Sequence, residues 1–566
     1  LTARMGVAFC KGLQGNHPRY LKTVATPKHF AVHSGPEPKR HTFNAQASAR
    51  DMWETYLPAF RACMQEAGAM SVMGAYSRTN DEPCCASKAL LKDILRDAWG
   101  FEGYVVSDCG AIRHIHEHQK VTSSPTESVA LALTNGCDLN CGSMYPMLVR
   151  AVKKGLVSEE LIDRSLRRLL RVRFRLGMFD PPDRVEYARI PPETVECDAH
   201  RQLAREAAAK SIVLLKNDGL LPLAKDLRKI AVVGPTAYNL RMQHGNYYGY
   251  SARMTTILEG ILSAASPGTQ VDYAPLCSLT GKQSIDEHKV GMTTRDADVV
   301  VAVMGFTAEI EGESGLVDPE AQSEGGGDRL SIGLPGRQQE LLEMLVAAGK
   351  PVVLVVTSGS PVDVSWAAAN VPAIVQAWYP GQAGDAVADV LFGDVNPAGR
   401  MPITAVRSLD QLPDFENYAM AGRTYRFMDA EPLYRFGYGL SYTTFAYSDL
   451  RLDAGEIRPD EPVRVTARVT NTGERAGEEV VQLYVRDVEA SVPVPRLHLE
   501  GFARVYLAAG ETKTVGFTLA PGQLAAYDDD GRPFVEPGEF RISVGGGQPD
   551  DPSAGAVTAT LTVKGK

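Results

Sequence analysis

GYVVSDCGAI, Gly103–Ile112, decides how the first third of this chain is read. Val105 and Val106 form an apolar run without alternation, the pattern of a strand buried on both faces of a parallel sheet. The run stops at Ser107 and Asp108, with Cys109 and Gly110 after them. Ligand sites in α/β proteins form at the C-terminal ends of parallel strands. Asp108 therefore stands where such a fold does its chemistry.

Similar runs surround it. Val24–Phe30 (VATPKHF), Met70–Tyr76 (MSVMGAY) and Cys137–Asn140 also read as strands. Between them SKALLKDILRDAW places Leu90, Leu91, Ile94, Leu95 and Ala98 on one helical stripe, with Ser87 as N-cap. SEELIDRSLRRLLRVRFRLG opens at the capping residue Ser158 and closes on Gly177. Strand–helix alternation implies a parallel sheet, open or closed into a barrel. About four such units are visible, whereas a closed barrel has about eight. For residues 1–185 this pattern leaves both forms open; a (β/α) barrel-type domain lacking its N-terminal part is what the family resemblance given below implies.

Residues 186–205 then read as a linker, led by the Pro-rich FDPPDRVEYARIPPE. Residues 206–405 carry the strands KIAVVGP, ADVVVAVMG and PVVLVVTSG with helices between them, for example GRQQELLEMLVAAG, where Leu341, Leu342, Met344 and Leu345 cluster. This is the pattern of an α/β sandwich, an open parallel sheet between helices. After a second linker (406–445) the period changes to two. Val463, Val465, Ala467 and Val469 alternate with polar residues, as do Val481, Leu483 and Val485, then Val515, Phe517 and Leu519, then Phe540, Ile542 and Val544. Residues 446–566 are thus expected to form an all-β sandwich. The fold class is multidomain α/β plus β.

The chain has 566 residues, 44% hydrophobic and 22% charged, the balance of a soluble multidomain protein. A formal net charge of -9 gives no electrostatic reason to expect nucleic acid as a partner. No apolar stretch approaches the ~20 residues needed to span a bilayer, so no membrane partner is expected. The sequence gives no compartment directly. Nine cysteines over this length do not make a disulfide framework and are expected to be mostly buried free thiols. No paired zinc knuckles appear.

Three strands of the first region end in reactive side chains: Lys28 and His29, Tyr76, and Asp108. With Arg40 nearby, the cations are expected to lower the pKa of Asp108 and keep it ionised, ready to act as a nucleophile. Lys and His also donate hydrogen bonds to hydroxyl-rich ligands. No P-loop appears at a strand end, and the GGGD of Gly325–Asp328 is not one. A second carboxyl group is expected from the acidic loop after AVMGFTA, which carries Glu309, Glu311, Glu313, Glu320 and Glu324. The histidines of RHIHEHQ (His114, His116, His118) do not share one helical face, and no metal site is expected there. Cys109, without an assigned base, reads as a small wall residue.

With these residues in view, the chain resembles glycoside hydrolase family 3. The resemblance rests on KHF, SGPE..RH, MGAYSR.N, LL.DILR..WGF.GYVVSDCGA, SIVLLKN...LPL, GDRLSIGLPG.Q, YPGQAGDAVADVLFGDVNPAGRMPIT and FGYGLSYT, in that order along nearly the whole chain. The tail resembles the family's fibronectin type III-like domain. The resemblance implies a retaining exo-β-glycosidase with Asp108 as nucleophile and a covalent glycosyl-enzyme intermediate. It implies that Lys28, His29, Arg40 and Tyr76 hold sugar hydroxyls and that Met73 forms pocket wall. IEGES resembles the family's LEGEE-type segment, which points to Glu311 as the acid, with Glu313 second.

SDCGA and NGCDLNCG resemble the β-xylosidase side of the family, so β-xylosides come first as substrates and β-glucosides second, as oligosaccharides or aryl glycosides. No cofactor is implied. A homodimer is admitted, and a secreted or periplasmic location follows from the resemblance alone. The family has a segment ahead of LTARMGVAFCKGLQG with the first barrel strands, which matches the low count of strand–helix units. Two alternatives stand beside the leading reading: a glycoside phosphorylase, and a non-catalytic sugar-binding scaffold.

Overall fold

The structure is a computed structural model that describes residues 1–33, 35–245, 247–249, 251–311 and 328–565. The chain divides into two units. The first comprises Leu1–Pro192 with two later segments, Asp414–Met420 and Tyr527–Pro533; the second comprises the remainder.

In the first unit the apolar runs meet as parallel neighbours. β1 (Ser71–Gly74) pairs with β2 (Tyr104–Ser107), Val72 lying opposite Val105 and Gly74 opposite Ser107. Single parallel bridges add Phe30 beside Gly74 and Leu139 beside Val106. The two outer runs contribute bridges rather than full strands. Pro27, which has no N–H to donate, takes part only through its carbonyl, which accepts from Met73 N–H at 3.1 Å. Phe30, Leu91, Leu95, Ile112, Ile115 and Leu133 fill the core around this ladder.

Two expected helices form. Glu159–Arg175 runs between Ser158 and Gly177, whose φ of +73° suits glycine. Ala89–Ala98 is a π-type helix, with Trp99 N–H bonding back to Ile94. Its wider turn buries Leu90, Leu91, Leu95 and Trp99 and leaves Ala98 exposed, correcting the α-helical stripe read from sequence. The two later segments are held by specific contacts. Arg50 donates to Tyr527 O at 2.9 Å and Asp529 Oδ1 at 2.7 Å, and Tyr56 donates to Tyr418 O at 2.7 Å. Gly531 has φ +77°, and a Cβ there would lie 2.1 Å from the Trp53 ring.

The second unit holds the other two architectures. Its six-stranded sheet contains β3 (Val213–Asn217), β4 (Lys229–Val233), β5 (Gln270–Ala274), β6 (Val299–Gly305), β7 (Val352–Thr357) and β8 (Ala373–Gln376). The order is β3-β8-β7-β6-β4-β5, parallel except for the antiparallel edge strand β3. Buried on both faces, β6 and β7 need no alternation. Val301, Val303 and Val355 pack against Ile257, Ile261 and Leu391 on one side. Val300, Leu354 and Val356 pack against Leu341, Leu342 and Leu345 on the other.

The tail is a β-sandwich. Its strands are β9 (Phe445–Leu452), β10 (Glu456–Ile457), β11 (Val463–Asn471), β12 (Gly477–Asp487), β13 (His498–Leu507), β14 (Thr512–Leu519), β15 (Gly538–Gly545) and β16 (Val557–Val563). They form a three-stranded sheet β9-β11-β14 and a five-stranded sheet β10-β16-β15-β12-β13. The alternating valines of β11 point inward against Leu483, Ile542 and Leu561. Among the described residues, no helix is long and apolar enough to cross a membrane.

Candidate active site

Parallel register in the first unit brings three strand ends side by side. Asp108 follows β2, Tyr76 follows β1, and His29 precedes the bridging Phe30. Asp108 is 7% exposed. Its Oδ1 accepts the Cys109 N–H at 2.7 Å, and its Oδ2 faces Nε2 of His29 at 3.3 Å. The Tyr76 hydroxyl donates to Cys109 O at 2.8 Å, so it braces the turn that carries the carboxylate. Arg40 lies 5.1 Å over the Tyr76 ring and pairs with Glu37 at 3.1 Å. Met73, opposite Val106 in the ladder, is half-buried. Lys28 is exposed, and its charge acts on Asp108.

Burial raises the Asp108 pKa above the ordinary carboxylate value. The Cys109 N–H, Lys28, the Tyr76 hydroxyl and His33 pull against it and do not win. This corrects the expectation that surrounding cations hold the group low. Asp108 has lost nearly all its water, whereas Lys28 extends into solvent, where its field is screened.

Several participants escaped the sequence reading. Cys109 and Cys141 form a disulfide, so Cys109 is neither a free thiol nor merely a small wall residue. The pairing follows from the fold: each cysteine sits just past the C-terminal end of one of two adjacent parallel runs. Ser107 Oγ accepts from Cys141 N–H at 3.0 Å and Asn140 Nδ2 at 3.2 Å, and Gly110 N–H donates to Cys141 O at 2.7 Å. The other seven cysteines are free, as expected.

The histidines of RHIHEHQ divide. His116 turns to Ser128 Oγ at 3.0 Å, while His114 and His118 lie 4.7 Å apart and join His41. The His41 and His114 rings stack at 4.1 Å, and the His41 edge meets the Tyr76 ring at 4.9 Å. Burial, with neighbouring cationic groups, lowers His114 to about 4 and also pushes His41 down. The His41 and His114 rings are therefore held towards the neutral form. Gln119 Nε2 donates to Tyr76 O at 2.7 Å and completes the support.

Glu311 belongs to the second unit, beyond the end of β6. Its Oε2 accepts from Gly359 N–H at 2.6 Å and from the Tyr379 hydroxyl; its Oε1 accepts from Ser360 Oγ, with Arg329 Nε at 3.8 Å. Arg329 covers the Phe306 ring at 4.3 Å and donates to Ser360 Oγ at 2.6 Å. Glu313, with Glu320 and Glu324, lies outside the described residues.

Comparison with known proteins bears on this arrangement. Residues 1–172 match the Glycosyl hydrolase family 3 N terminal domain, and residues 212–442 its C-terminal domain. A xylan 1,4-beta-xylosidase of Xylanibacter ruminicola is 35% identical over 694 residues, covering 96% of this chain and 80% of its own. The chain belongs to glycosyl hydrolase family 3. Residues 479–548 match a fibronectin type III-like domain, the sandwich described above. A periplasmic beta-glucosidase of Salmonella typhimurium is also 35% identical, covering 96% of this chain and 76% of its own. A solved GH3 exo-beta-xylosidase, in complex with a xylobiose aziridine activity-based probe, has a TM-score of 0.91. It shares 30% identity and covers 100% of this chain and 75% of that one. The glycoside hydrolase assignment of the sequence analysis therefore stands.

Proposed function

We propose that this family 3 member is a retaining, exo-acting β-glycosidase that releases terminal β-linked D-xylose or D-glucose. The observation that supports it most is Asp108, buried at a parallel strand end with Oδ1 fixed and Oδ2 directed at His29. In this reading Oδ2 attacks the anomeric carbon as the glycosidic C–O bond breaks. The leaving oxygen takes a proton from a second carboxyl group, and water then hydrolyses the glycosyl ester with that group as base. Lys28, His29, Arg40 and Tyr76 hold sugar hydroxyls, and Met73 forms wall.

The acid is assigned to Glu311 on the resemblance of IEGES, with Glu313 as the alternative. Arg241 and Arg329 are paired with Glu309 and Glu311, which gives no support to a phosphate acceptor. Xyloside is placed ahead of glucoside because the Cys109–Cys141 disulfide next to the nucleophile makes a fixed wall, and because the β-xylosidase named above is among the relatives.

Two measurements test this. Treatment with 2-deoxy-2-fluoro aryl β-xyloside or β-glucoside should place a sugar on the Asp108 peptide by mass spectrometry, the xyloside faster. No adduct from either would leave the sugar-binding scaffold. Separately, Glu311→Ala and Glu313→Ala should be assayed with good and poor leaving groups. The true acid is the position whose loss spares activated aryl glycosides and cripples alkyl ones.

A further inference from the structure

The β-sandwich carries a cavity of about 530 Å³ on the outer face of its five-stranded sheet, away from Asp108 in chain and unit. It lies among β12, β15, β16 and the segments around Met428–Arg435 and Gln548–Asp550. Register sets its charge. Arg486 of β12 stands directly opposite Arg541 of β15, which stands opposite Thr560 of β16. Opposed residues of an antiparallel ladder share a face with Cβ atoms about 5 Å apart, and like charges so placed repel.

The acidic residues of the cavity do not relieve that repulsion. Glu431 and Asp550 both pair with Arg435, at 2.7 and 2.9 Å, and Asp429 pairs with Arg496 at 3.4 Å. Neither Arg486 nor Arg541 has an ion pair among the described residues. Another cavity of this unit, about 470 Å³, differs in this respect. There Arg205 is held by Asp385 and Asp389, and Lys210 by Glu206 and Glu478. Its charges are satisfied, so nothing calls for a charged ligand.

We propose that the Arg486–Arg541 cavity is an accessory binding site for the carboxylate of an acidic carbohydrate, a uronate-bearing oligosaccharide. Two adjacent guanidinium groups match a carboxylate fork. The cavity also has the room and the lining for a sugar ring, which an inorganic anion would leave mostly empty. Hydroxyl groups come from Ser543 and Thr558, 3.1 Å apart, and from Thr560, while Met428 and Pro549 offer apolar surface to ring C–H groups. The proposal does not depend on which residues perform catalysis.

The test uses the full chain carrying Asp108→Asn, so that the sugars are not hydrolysed during the measurement, and calorimetric titration with three probes: xylotriose bearing one glucuronic acid branch, unsubstituted xylotriose, and sodium sulfate; turnover is read separately with Asp108 in place. The acidic sugar should bind at least ten-fold more tightly than the neutral one. That preference should shrink in high salt and vanish in Arg486→Ala/Arg541→Ala. Arg486→Lys/Arg541→Lys should restore part of it. Turnover of an aryl β-xyloside should be unchanged in both double variants. Removing an opposed like-charge pair should leave the unfolding temperature equal or higher, and single Arg541→Gln serves if the double variant expresses poorly. Equal binding of acidic and neutral sugars, or full preference retained in the Ala variant, overturns the proposal. Sulfate binding as tightly as the acidic sugar overturns the carbohydrate assignment.

Discussion

Replacing Asp138 by alanine should destabilise the first unit far more than an ordinary surface substitution. The Asp138 side chain is fully buried beneath the strand that leads to Asp108. One oxygen accepts from Arg96 Nη2 at 2.8 Å and Val105 N–H at 3.0 Å; the other accepts from Arg168 Nη1 and Ser165 Oγ, both at 2.9 Å. Alanine would leave two guanidinium groups, 10% and 21% exposed, facing each other across a void. Breaking a buried pair from one side costs about 3–5 kcal/mol. For a unit of this size each kcal/mol is about 2–4 °C, so the transition of this unit should fall by about 6–20 °C. Asp138→Asn, which keeps shape and one acceptor, should lie between. The assay is thermal and urea unfolding followed by near-UV circular dichroism. A loss under about 1 kcal/mol, the level of an exposed pair, would refute the reasoning.

Four further outcomes are expected. Denatured, unreduced protein should titrate seven thiols and reduced protein nine; reduction should destabilise the first unit by about 3–4 kcal/mol from the loop-closure entropy of a cross-link spanning this separation of 32 residues. His114 has a folded-state pKa near 4, below its unfolded value, so the unfolded chain binds the extra proton first. Stability should therefore fall as pH drops from about 6.5 towards 4, and His114→Gln should flatten that slope in urea-melt series. Because the Asp108 pKa is raised, kcat/KM on an aryl β-xyloside should have its acid limb above the ordinary carboxylate range; Lys28→Met, which removes a charge that lowers it, should move that limb to higher pH, and an unmoved limb would assign it to another group. In the second unit Arg400 Nη2 meets both Glu479 oxygens at 3.0 and 3.1 Å, with side chains 9% and 3% exposed. Glu479→Ala should cost about 3–5 kcal/mol, whereas Arg400→Met/Glu479→Leu should recover most of it.

The parts of this molecule legible in the sequence are those written by local pattern. Unbroken valine runs gave β6 and β7, and strict alternation gave β11, because burial on two faces or one leaves a direct trace in composition. The convergence of His29, Tyr76 and Asp108 was also legible, since each ends an apolar run and parallel strands align their ends. What escaped reading depends on pairs distant in sequence. Cys109 and Cys141 look unrelated until two neighbouring strands bring their ends together. His41 meets His114 and His118 through a loop and a helix that share no pattern. The pKa direction of Asp108 was misread because residue types near a carboxylate are visible in a sequence, while the water removed from it is not. Ala98 was misplaced because a π-type helix has a period that no α-helical template supplies.

The first unit takes in Asp414–Met420 and Tyr527–Pro533, pieces of chain that follow Pro192 by several hundred residues. A ribosome therefore releases the segment bearing Asp108 long before the segment Tyr527–Pro533, which seats Gly531 on Trp53 and engages Arg50. During that interval Trp53, Tyr56 and Arg50 wait without the partners these later segments supply. A gene cut after Pro192 would not yield a shorter enzyme domain but a permanent version of that waiting state. Boundaries for expression, fusion or domain exchange in this protein are set by where Tyr527–Pro533 arrives, not by where the first sheet ends.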